Sequence, residues 1–130
     1  MIDADTAPHA VPAKKEGVAH MFAATGYSLA GFRRLLGEAA FRQELAFLAA
    51  LALAFTAFGV DAVSWAVALV LFALLAAMEA LNTAIEEVVD RVSPERSEFA
   101  RHAKDLGSFA VFCLLAANLG HAGFALWAAG

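Results

Sequence analysis

The sequence is poor in the residues that staple or charge a small soluble domain. Cys113 is its only cysteine, so neither an intrachain disulfide nor a zinc site built on paired cysteines can form. Its setting in an apolar run marks it as a small core hydrophobe. Basic residues are few: nine Lys and Arg stand against thirteen Asp and Glu, for a net charge of −4. Without a basic excess there is no electrostatic footprint for nucleic acid, and no nucleic-acid partner is expected. Prolines are scarce, and two of them, Pro8 and Pro12, lie in a polar segment, residues 1–16. That segment lacks the apolar stretch of a signal peptide and is predicted to be a disordered tail. Internal repeats and low-complexity segments are absent. So are a glycine-rich loop ending in Gly-Lys-Ser/Thr and the protein-kinase signature set.

Apolar residues are what the chain has in surplus. They make up 62% of the sequence, with a mean hydropathy of +0.68, where a soluble domain is about half apolar. The length suits one domain. Three apolar runs stand out, at residues 45–60, 62–78 and 107–129. Together they leave too little polar chain to cover them, so they predict three membrane spans, at about residues 43–60, 62–91 and 106–129. The expected fold is all-α and polytopic. Gly59-Val60-Asp61 predicts a tight turn between the first two spans. The second link, residues 90–105, is charged, and Ser93-Pro94 within it reads as a helix N-cap with a first-turn proline. All Lys and Arg fall in residues 14–42 and 91–104. The positive-inside rule then puts the N-terminus and the 90–105 loop in the cytoplasm, with Asp61 and the C-terminus outside. Trp65 and Trp127 would sit near the outer interface.

Residues 17–42 differ. At a helical period, Val18, Met21, Phe22, Leu29, Phe32 and Leu36 share one face, while His20, Tyr27, Arg34 and Glu38 take the other. This predicts an amphipathic helix on the membrane surface, with Gly26, Gly31 and Gly37 as candidate breaks.

The end of the second span carries the chemistry. Glu79, Asn82, Thr83, Glu86 and Asp90 fall on one helix face. Glu79 lies about 25 Å along the span at the rise of an α-helix, near the inner edge of a ~30 Å hydrocarbon layer. An acid at that depth is a functional candidate; the structural alternative is a Glu paired with an Arg from a neighbouring helix. Facing a lipid headgroup, a desolvated carboxylate is a good proton acceptor. Carboxylates a turn or two nearer water, such as Glu86, suit Mg²⁺ bound to substrate phosphates. Lys104 and Asp105, across the charged loop, could meet a polyphosphate and a hydroxyl or amide. Glu87 and Asp90 read as solvated helix-end charges, with Asp90 a supporting member of the stripe. Ala76, Ala80 and Ala84 suit close helix packing.

Glu79-Ala-Leu-Asn82-Thr-Ala-Ile-Glu86, then Val89-Asp90-Arg91, then Ala103-Lys104-Asp105-Leu-Gly107-Ser108, resembles the signature of the prokaryotic integral-membrane diacylglycerol kinases. Gly26-Tyr27-Ser28 and Glu38-Ala-Ala-Phe41-Arg42-Gln43-Glu44 are similar to that family's N-terminal region. The resemblance implies a membrane kinase domain over residues 17–130, assembled as a homotrimer in the bacterial inner membrane. It implies transfer of the γ-phosphate of ATP to diacylglycerol, with Mg²⁺ as cofactor. Glu79 would be the catalytic base, and Glu38 and Glu86 would hold the metal and the phosphates. His20, Tyr27, Glu95, Lys104 and Asp105 would contact the nucleotide. Thr25, Gly26, Ser28, Arg42, Gln43, Glu44 and Ser108 would border the lipid, and Asn82 would order the site. The chain departs from the family at His20 and Ala23, where basic residues are usual, and in a shorter stretch between Arg33 and Glu38. The alternatives are the related undecaprenol kinases, which share the core, and a small oligomeric channel or transporter whose carboxylate stripe lines an ion path.

Overall fold

Long unbroken runs of Ala, Leu, Val and Phe, with no proline between residues 13 and 93, fold as helices, and the capping residues decide where each one stops. The computed structural model describes residues 17–130; the expected tail lies outside them. Among the described residues the order is α1 (Val18–Leu35), α2 (Ala39–Phe58), α3 (Ala62–Val92) and α4 (Glu98–Ala129). The chain divides between Ala30 and Gly31 into two units, the second holding the end of α1 and all of α2 to α4. In the first unit, Val18, Met21, Phe22 and Tyr27 are exposed.

Three helices, α2, α3 and α4, are long and apolar enough to cross a membrane. The chain is thus all-α with three candidate spans, as the hydropathy predicts. Their limits differ from the sequence reading in instructive ways. The first helix was expected to run to residue 42, but it ends at Leu35. The Gly37 N–H donates to Arg34 O and the Glu38 N–H to Leu35 O, at 3.0 and 2.9 Å, which tightens the last turn. Glu38 is extended, with φ −79° and ψ 132°, and α2 starts immediately after it. A Cβ at residue 37 would lie 3.0 Å from Arg34 O, so glycine relieves a tight contact in this sharp turn.

The turn from α2 to α3 forms as expected. Gly59 is left-handed at φ 66°, and the N–H groups of Gly59 and Val60 donate to Thr56 O and Phe55 O, a glycine-terminated helix end. Asp61 then caps α3: its Oδ1 accepts from the N–H groups of Val63 (2.9 Å) and Ser64 (3.1 Å), and its Oδ2 from Ser64 Oγ (2.6 Å).

Ser93 corrects the reading of the second link. It is the C-cap of α3, not an N-cap, its N–H donating to Val89 O. The N-cap of α4 is Ser97, whose Oγ accepts from the Ala100 N–H at 3.1 Å. Pro94 accordingly lies between the helices rather than in a first turn. A hydroxyl contact of 2.9 Å between Ser93 and Ser97 joins the two caps. Because α4 begins at Glu98, its charged first turns are already helical before the apolar run starts.

The closest helix pair is α3 with α4; α2 packs against both more lightly. Near the Asp61 turn, Phe55, Val60, Ala68, Ala122 and Ala125 form a buried cluster. At the other end Phe41 is the pivot, 1% exposed, edge-on to Phe32 and stacked on Phe72. Ala80 and Ala84, expected at a helix contact, are exposed. The close approach uses α4's small residues instead, including Ala100, Gly107 and Ala122.

Candidate active site

Two carboxyl groups are buried in the described chain, and they belong to the same place. Glu44 on α2 is 8% exposed and Glu79 on α3 is 7% exposed. Both line a cavity of about 340 Å³ whose other walls are mainly Leu and Phe. One Glu44 oxygen, Oε2, is buried without a hydrogen-bond partner. Burying a carboxyl with an unmet oxygen costs free energy, so its position is set by something other than stability. Among the described residues Glu79 has no basic partner, which removes the structural alternative of a Glu–Arg pair within the chain. Gln43 lines the same cavity.

From Glu79 the α3 stripe runs towards the charged loop. Asn82 Nδ2 donates to Glu86 Oε1 at 3.1 Å, fixing one carboxylate oxygen and leaving the other free. Asn82 Oδ1 is buried without a partner, against Gly107 of α4. Glu38, at the start of α2, is fixed in the same way: its Oε1 accepts from Arg34 Nη1 at 2.6 Å. Glu38 and Glu86 thus each keep one oxygen unclaimed. A free carboxylate oxygen is the kind of hard donor that Mg²⁺ takes from protein when it shares its shell with phosphates. No group of three metal-ligating side chains exists among the described residues.

A second, polar cavity of about 550 Å³ lies at the loop. Glu95 and Lys104 both line it, and Lys104 Nζ is 2.5 Å from Asp90 Oδ1. Asp90 is therefore paired, not simply a solvated helix-end charge. Asp105 and Ser108 are exposed on α4 and belong to neither cavity. Arg42 donates through Nη1 to Leu36 O and Gly37 O, bracing the α1–α2 turn. His20, Thr25, Gly26, Tyr27 and Ser28 lie on exposed helix in the first unit; there Thr25 Oγ1 donates to Met21 O.

Three participants escaped the sequence reading. Glu87, read as a solvated charge, accepts from Arg34 Nε and Nη2 at 3.1 and 2.6 Å, and Arg34 itself was assigned no role. Asn118, the lone amide in α4's apolar run, lines the first cavity. Its Nδ2 donates to Leu71 O and Leu114 O, pinning α4 to α3. A polar residue at that depth is the signal that could have flagged it.

Comparison with known proteins bears on what these cavities serve. The family model for prokaryotic diacylglycerol kinase matches residues 26–126. A diacylglycerol kinase of a Sinorhizobium species is 55% identical over 105 residues, covering 81% of this chain and 77% of its own. That of Pseudomonas aeruginosa is 46% identical, with 76% and 81% covered. That of Escherichia coli K12 is 42% identical, with 73% and 79% covered. The match takes in both cavities, the whole α3 stripe and the three apolar helices, so this chain belongs to the prokaryotic diacylglycerol kinase family.

Proposed function

We propose that the protein is a diacylglycerol kinase, transferring the γ-phosphate of ATP to the free hydroxyl of diacylglycerol to give phosphatidic acid and ADP. The observation that carries this reading is the buried Glu44–Glu79 pair at an apolar cavity. Of that pair, Glu79 lies on the same helix as Glu86, about 10 Å away along α3 by the helical rise. A lipid hydroxyl and a triphosphate need that combination: an apolar slot with a proton acceptor, and hard oxygen donors a short way towards water.

In this mechanism Glu79 takes the proton of the lipid hydroxyl as its oxygen attacks the γ-phosphorus and the bond to the β-phosphate oxygen breaks. Glu44 and Gln43 border the bound lipid at the same cavity, with Arg42 bracing the turn beside them and Ser108 on α4 flanking the lipid from outside. Glu38 and Glu86 would hold Mg²⁺, which when bound would supply positive charge against the phosphates. Asn82 orients Glu86. Lys104 meets the polyphosphate and Asp105 a hydroxyl or amino group of the nucleotide, with Glu95 at the polar cavity. Nucleotide roles for His20 and Tyr27 and lipid roles for Thr25, Gly26 and Ser28 belong to the same proposal.

The amphipathic face of α1 rests on the membrane surface. The N-terminus and the α3–α4 loop are cytoplasmic, and the C-terminus is periplasmic, in the inner membrane. Three copies share their sites, covering apolar surface such as Leu74, Leu81 and Phe112 that a single chain leaves exposed. Residues 17–130 act as one kinase domain.

The deciding experiment follows radiolabel from MgATP into lipid with purified protein and a panel of diacylglycerol, undecaprenol and ceramide. Label should enter diacylglycerol. Preference for undecaprenol would move the substrate to the polyprenol branch, and no transfer to any lipid would overturn the kinase reading.

A further inference from the structure

Glu38 is the N-cap residue of α2, with extended backbone. Its carboxylate makes no cap bond to α2. What holds it is Arg34, from the last turn of α1. The guanidinium places Nε and Nη2 on Glu87 Oε1, at 3.1 and 2.6 Å, and Nη1 on Glu38 Oε1, at 2.6 Å. Glu87 is the α3 residue next to Glu86. The planar guanidinium, with donors fixed in a fork, therefore ties the α1–α2 turn to the very turn of α3 that carries the second carboxylate of the stripe. Gly37 permits this geometry, since a Cβ there would press on Arg34 O and lie 3.7 Å from Arg34 Nη1. Glu38 Oε2 stays uncommitted.

We propose that Arg34, anchored by Glu87, is a positioning residue that sets Glu38 as a divalent-cation ligand opposite Glu86. The inference rests on the proposed metal role of Glu38. Groups that orient a ligating carboxylate commonly govern metal affinity by about 10–100-fold. A guanidinium acting only as a nearby positive charge does the opposite: its removal favours cation binding. The two roles are told apart by the sign of one measurement.

The test is Mn²⁺ binding to the full-length protein in detergent, read by the electron paramagnetic resonance of free Mn²⁺, with a non-hydrolysable ATP analogue present. Arg34→Ala and Glu87→Gln should each weaken Mn²⁺ binding, about ten-fold at the lower end of that range. The double variant should be no worse than the poorer single one, because both act through one contact. The KM for MgATP should rise in both variants while the KM for lipid stays put. Unchanged or tighter Mn²⁺ binding in Arg34→Ala overturns the proposal, as do fully additive losses. Glu38→Gln separates the premises. If it leaves Mn²⁺ binding intact, the metal assignment of Glu38 fails and this inference with it. If it weakens binding while Arg34→Ala does not, only the positioning role falls.

Discussion

Gly107 of α4 faces Asn82 of α3 so closely that a Cβ on residue 107 would overlap Asn82 Oδ1. The absent side chain is what lets the two longest helices meet at the stripe, and it holds the amide whose other end fixes Glu86. Gly107→Ala should displace Asn82 and release Glu86. Overpacking of this kind costs about 1–3 kcal/mol. Turnover should fall more than stability, and rescue by shortening Asn82 to Ala or Ser should restore stability but not turnover. Unfolding in detergent, paired with lipid phosphorylation, checks both.

Glu79→Gln keeps the size of the side chain and removes the proton acceptor. Turnover should drop by about 10²–10⁴-fold, with nucleotide binding little changed. Glu86→Gln should instead weaken MgATP binding as well as turnover. Calorimetry and single-turnover phosphorylation on the same preparations would reveal the split; near-normal turnover in Glu79→Gln removes it from the role of base.

The topology is open to labelling. With Cys113, which is exposed, replaced by Ser, single cysteines at Asp61 and Ser97 should react with an impermeant reagent from opposite sides of the membrane. The expectation follows from the basic residues, which cluster away from the Asp61 turn. Reaction of both from one side is incompatible with the three-span arrangement.

Asp61 predicts a specific acid response. Hydrogen bonds from the Ser64 hydroxyl and N–H, and from the Val63 N–H, hold its carboxyl below its ordinary value of 3.8. Its contribution to stability is therefore complete above that value and is lost as pH falls through the lower folded-state value. Asp61→Asn should flatten this acid limb of the stability profile, measured by thermal unfolding between about pH 5 and pH 2, which spans the ordinary carboxylate range.

Much of this organisation could be read from the residues. The three apolar helices follow from hydropathy, and the Gly59–Asp61 turn from the three-residue link that separates two apolar runs. Both depend on neighbours in the chain. Glu79, Asn82 and Glu86 share a face because helical geometry puts them there. What escaped depends on partners far away in sequence. Glu87 meets Arg34 because the end of α1 at Leu35 returns to α3, and Glu44 is buried at a cavity that it shares with Glu79 of another helix. Ser93 was misread because a serine before proline is a good N-cap locally, yet Ser97 competes for the same task and lies nearer the start of the next helix. Asn118 hides in an apolar run whose hydropathy swamps one amide.

The length of α3 has a mechanical consequence. Its 31 residues give a rod of about 46 Å at the helical rise, against a hydrocarbon layer of about 30 Å. One continuous helix therefore carries Glu79, Asn82 and Glu86, and no hinge separates them. The helix works as a ruler: the step from Glu79, the proposed proton acceptor, to Glu86, the proposed phosphate-side carboxylate, is fixed by backbone geometry and does not adjust to the membrane. A bilayer that thickens or thins moves the lipid hydroxyl along this ruler rather than stretching it. Turnover should accordingly peak at one acyl-chain length in reconstituted vesicles and fall on either side, even where the protein remains fully folded.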